Sequence, residues 1–323
     1  MRTTGPPAID FDALVPISAT SDGRFRVGAG GVRAAATTAD HKVEFVDIGG
    51  HILAHVRSAM GYPAYYPVCP AVIEKPLRAV LMDLDGTSVR SEGFWVWIIQ
   101  LTTASLLGDA RFELEEADLP YVSGHSVSEH LQHCIRRYCP DRTVEEARML
   151  YFEHTRREMQ AILDGKGRTD AFVPAPGLRS FLLELKARAI RIGLVTSGLY
   201  EKAYPEIVSA FRTLGLGDPS EFYDAIITAG FPMRTGEVGT LGELSPKPHP
   251  WLYAEVSRVG LGIPFDARHS VVGIEDSGAG VCSIRLAGFA AIGMAGGNIE
   301  ESGAGPLCTA RCDTLEDALG ILV

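Results

Sequence analysis

The chain has 323 residues, 46% hydrophobic and 22% charged, a balance that excludes a disordered, collagen-like or coiled-coil protein. Its length suits about two domains of roughly 150 residues each. With 30 Lys and Arg against 40 Asp and Glu the net charge is −10, so neither nucleic acid nor an anionic membrane is expected as a partner: nothing basic drives counterion release.

Residues 1–40 are rich in Gly, Ala, Thr and Asp and lack periodicity, so loose order is expected there. The opening segment has no apolar run behind a basic start, which predicts no signal peptide and a cytoplasmic location. Gly28–Gly31 is not a phosphate loop, because no Lys-Ser or Lys-Thr follows it. Residues 43–56 alternate apolar and polar on both sides of Gly49-Gly50, which predicts a β-hairpin. Pro63, Pro67, Pro70 and Pro76 then mark a linker, so an N-terminal extension is expected over 1–75.

From Leu77 the pattern changes. LRAVLMDLDGT reads as a buried parallel strand running into a loop. Residues 92–163 read as helices, the last of them capped by Thr143 with Glu146 three residues on. Phe94–Leu107 falls short of the roughly 18 apolar residues of a membrane span, and it carries Gln100, Thr102, Thr103 and Ser105. RIGLVTSG, FYDAIITAG, SVVGIEDSGAG and FAAIGMAG repeat the strand-plus-loop form with helices between them. The fold class is therefore α/β with a parallel, Rossmann-like sheet, and the helical block reads as an insertion. The expected division is a core of 76–90 and 172–323 with a helical cap of 91–171. Six cysteines, at 69, 134, 139, 282, 308 and 312, have neither disulfide-scaffold density nor zinc spacing and are expected as free thiols.

Four strand ends carry reactive groups, and in an open α/β sheet such ends line one crevice. Asp83 and Asp85, two apart on an extended tip, point the same way. One carboxylate can act as a nucleophile and the other as an acid and base. Thr196-Ser197-Gly198 offers a hydroxyl and backbone N–H groups to an anionic oxygen. Lys247 is a point charge suited to phosphate. Glu275 and Asp276, with Asp83, supply hard oxygen ligands for Mg²⁺. Each piece is common by itself; a plain turn, a solvated lysine or a helix cap accounts for any one. Their order inside one α/β pattern carries the argument.

These motifs, Asp83-Leu84-Asp85-Gly86-Thr87, Thr196-Ser197-Gly198, Lys247-Pro248 and Glu275-Asp276-Ser277, resemble those of the haloacid dehalogenase superfamily, and within it the beta-phosphoglucomutase-like phosphatases. The resemblance spans residues 77–323. It implies a Rossmann-like core with an inserted helical cap and an aspartyl-phosphate mechanism. By that resemblance Asp83 is the nucleophile and Asp85 the acid and base. Thr196 holds a phosphoryl oxygen, with Ser197 and Gly198 beside it, and Lys247 balances charge. Mg²⁺ is held by Asp83, Asp85 through its backbone carbonyl, Glu275 and Asp276. Asp85 favours phosphate esters, because dehalogenases and phosphonate hydrolases of this resemblance lack that carboxylate. The family often reads Leu-Val-Asp-Ser-Glu where this chain has Ser88-Val89-Arg90-Ser91-Glu92, so Arg90 is a departure near the hinge.

His125 and Ser126 stand where relatives carry a substrate-facing loop, although Ser123 or Ser126 could equally cap the following helix. Residues 231–246 form a long loop that either covers the site or runs over the surface. For His249 and Trp251, packing at the start of a helix is favoured over catalysis. The expected activity is Mg²⁺-dependent hydrolysis of a small phosphorylated metabolite such as a sugar phosphate. A phosphomutase using the same residues is the first alternative. A partner-binding protein, in which residues 1–75 bind the partner and the phosphatase core is subordinate, is the second.

Overall fold

The computed structural model describes residues 9–57, 63–119, 127–229 and 246–323. Their contacts divide the chain into two compact units. One comprises Met1–Ser88, Pro176–Tyr200 and Ser220–Val323, the other Val89–Ala175 and Glu201–Pro219.

The first unit opens with a five-stranded antiparallel sheet of β1 (Val15–Pro16), β2 (Val32–Thr37), β3 (Val43–Ile48), β4 (His51–Val56) and β5 (Ala64–Val68), in that spatial order. The expected hairpin is β3–β4, and positive φ at Gly49 and Gly50 turns it. The expectation of loose order is corrected over residues 9–40, where β1 and β2 extend the sheet. The Ala-rich β2 shows no alternation because both its faces are covered. Pro67 is tolerated because β5 is an edge strand.

Side chains alternate across this sheet. Val43, Phe45, Ala54, Val56 and Val68 join one apolar cluster with Leu252, Tyr253, Ile284 and Leu286 of the same unit. Val32, Ala35 and Val46 pack on Ile17, Phe25 and Ile48 on the opposite face. A buried Val or Phe contributes roughly 1.5–3 kcal/mol. Val43, Phe45, Val56 and Val68 together therefore approach the whole stability of a typical domain, about 5–15 kcal/mol. The sheet is a structural part of this unit.

The second sheet is parallel. Its first strand is β6 (Ala79–Asp83), after which β7 (Val89–Arg90) leads into the second unit and β8 (Val173–Pro174) leads back, paired antiparallel with it. Then follow β9 (Arg191–Leu199), β10 (Ala225–Ala229), β11 (Val271–Glu275), β12 (Ala290–Met294) and β13 (Ala310–Cys312), in the spatial order β10-β9-β6-β11-β12-β13. Every residue of β6, β11 and β12 is buried, as expected of strands covered on both faces. The connections diverge at β6, which pairs with β9 on one side and β11 on the other. Their carboxyl ends therefore share the crevice where α/β sheets bind ligands.

The second unit is helical, built on α1 (Glu92–Leu107), α2 (Val127–Tyr138) and α3 (Val144–Leu163). The predicted cap of α3 is present: Glu146 N–H donates to Thr143 Oγ1 at 3.2 Å, and Thr143 N–H to Glu146 Oε2 at 2.9 Å. After α4 (Leu178–Ala187) in the first unit, α5 (Tyr200–Leu214) extends the helical unit. The expected division placed 201–219 in the core; the contacts group it with the helices. The reason is local. Arg212 donates to the carbonyls of Ile162 and Leu163 at 2.6 and 2.7 Å, Ser209 donates to Thr169 O at 2.6 Å, and Lys202 Nζ stands 3.6 Å from the Trp95 ring centre. The turn α6 (Pro219–Phe222) leads back to β10, and α7 (Trp251–Glu255), α8 (Gly278–Leu286) and α9 (Leu315–Leu322) complete the first unit. Among the described residues no helix is long and apolar enough to cross a membrane. All six cysteines are free.

Candidate active site

The end of β6 turns sharply. Ser88 donates its N–H to Leu84 O at 3.0 Å and its hydroxyl to Asp83 O at 2.5 Å. Gly86 sits at φ +85°, and a Cβ there would fall 2.1 Å from Asp276 Oδ2. Only glycine lets this loop pass the second acidic motif so closely. Asp83 is buried at the strand tip.

Lys247 Nζ pairs with both Asp83 Oδ1 and Glu275 Oε1. Glu275 is fully buried. Its Oε1 also accepts from Tyr253 OH at 3.1 Å, and its Oε2 accepts from Ser277 N–H and Oγ–H at 3.1 and 2.9 Å. Ser277 in turn accepts from Gly280 N–H at 3.1 Å and so caps α8. A Cβ on Gly280 would stand 1.9 Å from the Glu275 carboxyl. Asp276 Oδ1 accepts from the Thr87 hydroxyl at 3.2 Å.

The end of β9 joins the same crevice. Thr196 Oγ1 donates to Asp85 Oδ2 at 3.2 Å and accepts from Gly198 N–H at 2.9 Å. Lys247 N–H donates to Ser197 Oγ at 3.2 Å. Lys247 thus touches the ends of β6, β9 and β11.

Ligand oxygens of Asp83, Glu275 and Asp276 lie within 4.8 Å of one another, the one such group among the described residues that could hold a metal ion. The donor set fits a hard cation: three carboxylates converge and Lys247 answers only part of their charge. Electrostatics agree. Burial, then the charge of Glu275, push the Asp83 carboxyl well above its usual range, and Lys247 only partly opposes this. Asp276 is pushed up to about 7 by burial and by Glu275. For Lys247, burial would lower the pKa, but Asp83 and Glu275 outweigh it and hold the ammonium charged.

The fold thus brings together Asp83, Asp85, Thr196, Ser197, Gly198, Lys247, Glu275 and Asp276. The Asp85 side chain bonds Thr196 and is outside the metal-capable group of side chains. His125 and Ser126 lie outside the described residues, as do residues 231–245. Arg90 is exposed in β7, opposite Val173. Sequence reasoning assigned no task to Thr87 or Ser277, although both stand inside the motifs. Tyr253 left no local signal; only the fold shows that its hydroxyl meets Glu275.

The haloacid dehalogenase-like hydrolase family model matches residues 77–288, and the chain belongs to this family. Among curated protein sequences none gives a significant match. Among solved structures, the chain is similar to CbbY from Rhodobacter sphaeroides in complex with phosphate, with 21% identity, TM-score 0.51, and 74% of this chain and 95% of that one covered. A mutant of that protein in complex with xylulose-(1,5)bisphosphate gives 20%, 0.50, 74% and 95%. A subfamily IA hydrolase from Geobacter sulfurreducens gives 16%, 0.53, 78% and 100%. At these identities the likeness concerns the fold.

Proposed function

We propose that the protein is a Mg²⁺-dependent phosphatase acting on a small phosphorylated metabolite, probed first with sugar phosphates, through an aspartyl-phosphate. One observation carries this reading: Lys247 bridges Asp83 and Glu275 beside Asp276, while Asp85 stands two residues away on Thr196. The phosphate-bound relative supports an anionic ligand.

An Asp83 oxygen attacks phosphorus as the ester P–O bond breaks, and Asp85 gives its proton to the leaving oxygen. Water then attacks the aspartyl-phosphate and yields a proton to Asp85. The acyl-phosphate bond breaks, Asp83 returns as a carboxylate and inorganic phosphate leaves. Thr196, Ser197 and the Gly198 backbone hold phosphoryl oxygens, and Lys247 balances the charge of nucleophile and phosphate. The residues that would hold Mg²⁺ are Asp83, Glu275 and Asp276, with the Asp85 carbonyl proposed beside them. The chemistry the ion supplies when bound is neutralisation of phosphoryl charge. His125 and Ser126 remain the proposed substrate-facing pair by sequence position. The free cysteines support the reducing cytoplasm as the proposed location.

The test is phosphate release from a panel of phosphometabolites with Mg²⁺ or with chelator. Turnover that needs Mg²⁺ is the expected result. Equal rates with and without the metal remove the metal assignment. Turnover that depends on an added bisphosphate and releases little phosphate assigns the phosphomutase instead.

The metal is also testable without substrate. Asp276 has a folded pKa raised from 3.8 to about 7, so the metal-free chain loses stability as pH rises through that window. Mg²⁺ must displace those protons at acid pH and need not above the window. Saturating Mg²⁺ is therefore expected to raise the melting temperature by about 5 °C or more near pH 8, and by less near pH 5.5. Equal shifts at the two pH values would remove Asp276 from the metal set.

A further inference from the structure

Among the described residues, the N-terminal sheet meets the site's own segment at a polar contact made by Tyr66. Tyr66, in β5, bonds His249 Nδ1 at 2.8 Å, and the two rings stand edge to face with centres 5.8 Å apart. Tyr66 also packs edge to face on Trp251, with ring centres 5.9 Å apart.

His249 lies two residues beyond Lys247 and is 3% exposed. Its carbonyl accepts from Ser283 Oγ at 2.6 Å and its N–H donates to Pro246 O at 3.1 Å. Among the described residues its Nε2 has no hydrogen-bond partner. Tyr66 is therefore the polar anchor of the ring. Burial lowers the imidazole pKa, which keeps the ring neutral in this setting. The Lys247 backbone is tied to Ser197 and its ammonium to Asp83 and Glu275. The segment Lys247–Trp251 is thus held by strand ends on one side and by the N-terminal sheet on the other.

We infer that Tyr66 is a positioning residue: through His249 and Trp251 it fixes the Lys247–Trp251 segment and so the seat of the Lys247 ammonium between Asp83 and Glu275. The inference rests on the reading of Lys247 as the charge-balancing group of phosphoryl transfer. It gives the N-terminal sheet, through Tyr66 alone, a part in placing Lys247. A group that must stand between nucleophile and phosphate tolerates little displacement, because a shift of about 1 Å costs up to roughly 100-fold in rate.

The test compares Tyr66→Phe with Tyr65→Phe in the full chain. The first keeps the ring and removes the hydroxyl from His249. The second removes the neighbouring hydroxyl, which bonds Asp22 at 2.9 Å within the N-terminal region. Two quantities are measured: kcat and KM for phosphate release, and the acylation rate of the Lys247 amine by an N-hydroxysuccinimide ester, read by peptide mass spectrometry. In the natural chain the Lys247 side chain is 8% exposed, so slow acylation is expected there. Tyr66→Phe is expected to lower kcat about 3- to 30-fold with KM within about twofold, and to raise Lys247 acylation about 3-fold or more. His249→Gln, which perturbs the same contact from its other end, should give the same pattern. Tyr65→Phe should change neither quantity, and acylation of Lys42 and Lys75 should stay constant throughout. Unchanged Lys247 acylation in Tyr66→Phe overturns the inference whatever the activity, and so does an equal change in Tyr65→Phe. The phosphatase reading fails separately, if Asp83→Asn releases phosphate as fast as the natural chain.

Discussion

An Asp83→Asn chain is expected to release phosphate at least about 10³-fold more slowly than the natural chain, while keeping its fold. The amide has the shape of the carboxyl but cannot form the bond to phosphorus. Stability should not follow activity. Asp83 is buried, and burial and the Glu275 charge both disfavour its ionised form. Replacing it removes one of two carboxylates facing a single ammonium, and Lys247 keeps Glu275 as its partner. The metal-free variant should therefore melt at or above the temperature of the natural chain near neutral pH. Single-turnover phosphate release and thermal denaturation in one buffer separate the two effects. Phosphate release at the natural rate would remove Asp83 from the chemistry. A collapse in melting temperature would mean that the carboxylate is structural.

Lys247→Met should lose both activity and stability. Methionine fills similar space but leaves Asp83 and Glu275 buried with no cation between them. Removing one member of a buried ion pair costs about 3–5 kcal/mol. For a chain of this size that is a fall of about 6 °C or more in melting temperature. The sign of the pH effect follows from the same charges. Lys247 is what opposes the raised pKa of Asp83, so without the ammonium that carboxyl holds its proton more tightly in the folded state. The variant should regain stability as pH falls and lose it as pH rises through neutrality. Mg²⁺ should restore part of the stability by answering the charge. It should not restore turnover, because the charge beside the nucleophile and phosphate is no longer supplied from the lysine's position. Calorimetry at two pH values, with and without Mg²⁺, reads the first expectation; phosphate release reads the second. An unchanged melting temperature, or natural turnover, contradicts the bridging assignment of Lys247.

The legible part of this protein was the part with local signatures. Strands buried on both faces read as continuous apolar runs, and each ended on the residue that faces the crevice: Asp83, Thr196 and Glu275. Lys247 is legible by its motif although the fold carries it to Asp83 across 164 residues. The N-terminal sheet was legible only as its β3–β4 hairpin. β2 is Ala-rich and covered on both faces, so alternation could not mark it. β5 carries Pro67, which ordinarily argues against a strand. The grouping of 201–219 with the helices depends on Arg212 reaching the last carbonyls of α3, a contact across about 50 residues with no sequence trace. Tyr66 and His249 are 183 residues apart. Reading His249 as packing rather than chemistry identified its burial but not the residue against which it packs.

The shared core of the N-terminal sheet and the parallel sheet has a bearing on how this chain changes over generations. The family signature covers 77–288, yet Phe45, Val56 and Val68 fill the same apolar cluster as Tyr253 and Ile284. A substitution at Phe45, Val56 or Val68 alters the packing behind α7 and α8, the elements that seat Tyr253 and the Glu275–Ser277 cap. Selection on turnover therefore acts on residues that the family signature does not include. Mutations in β3 or β5 are to be weighed with those of the crevice wall, and recombination that exchanges this N-terminal region for an unrelated one would break the core it enters.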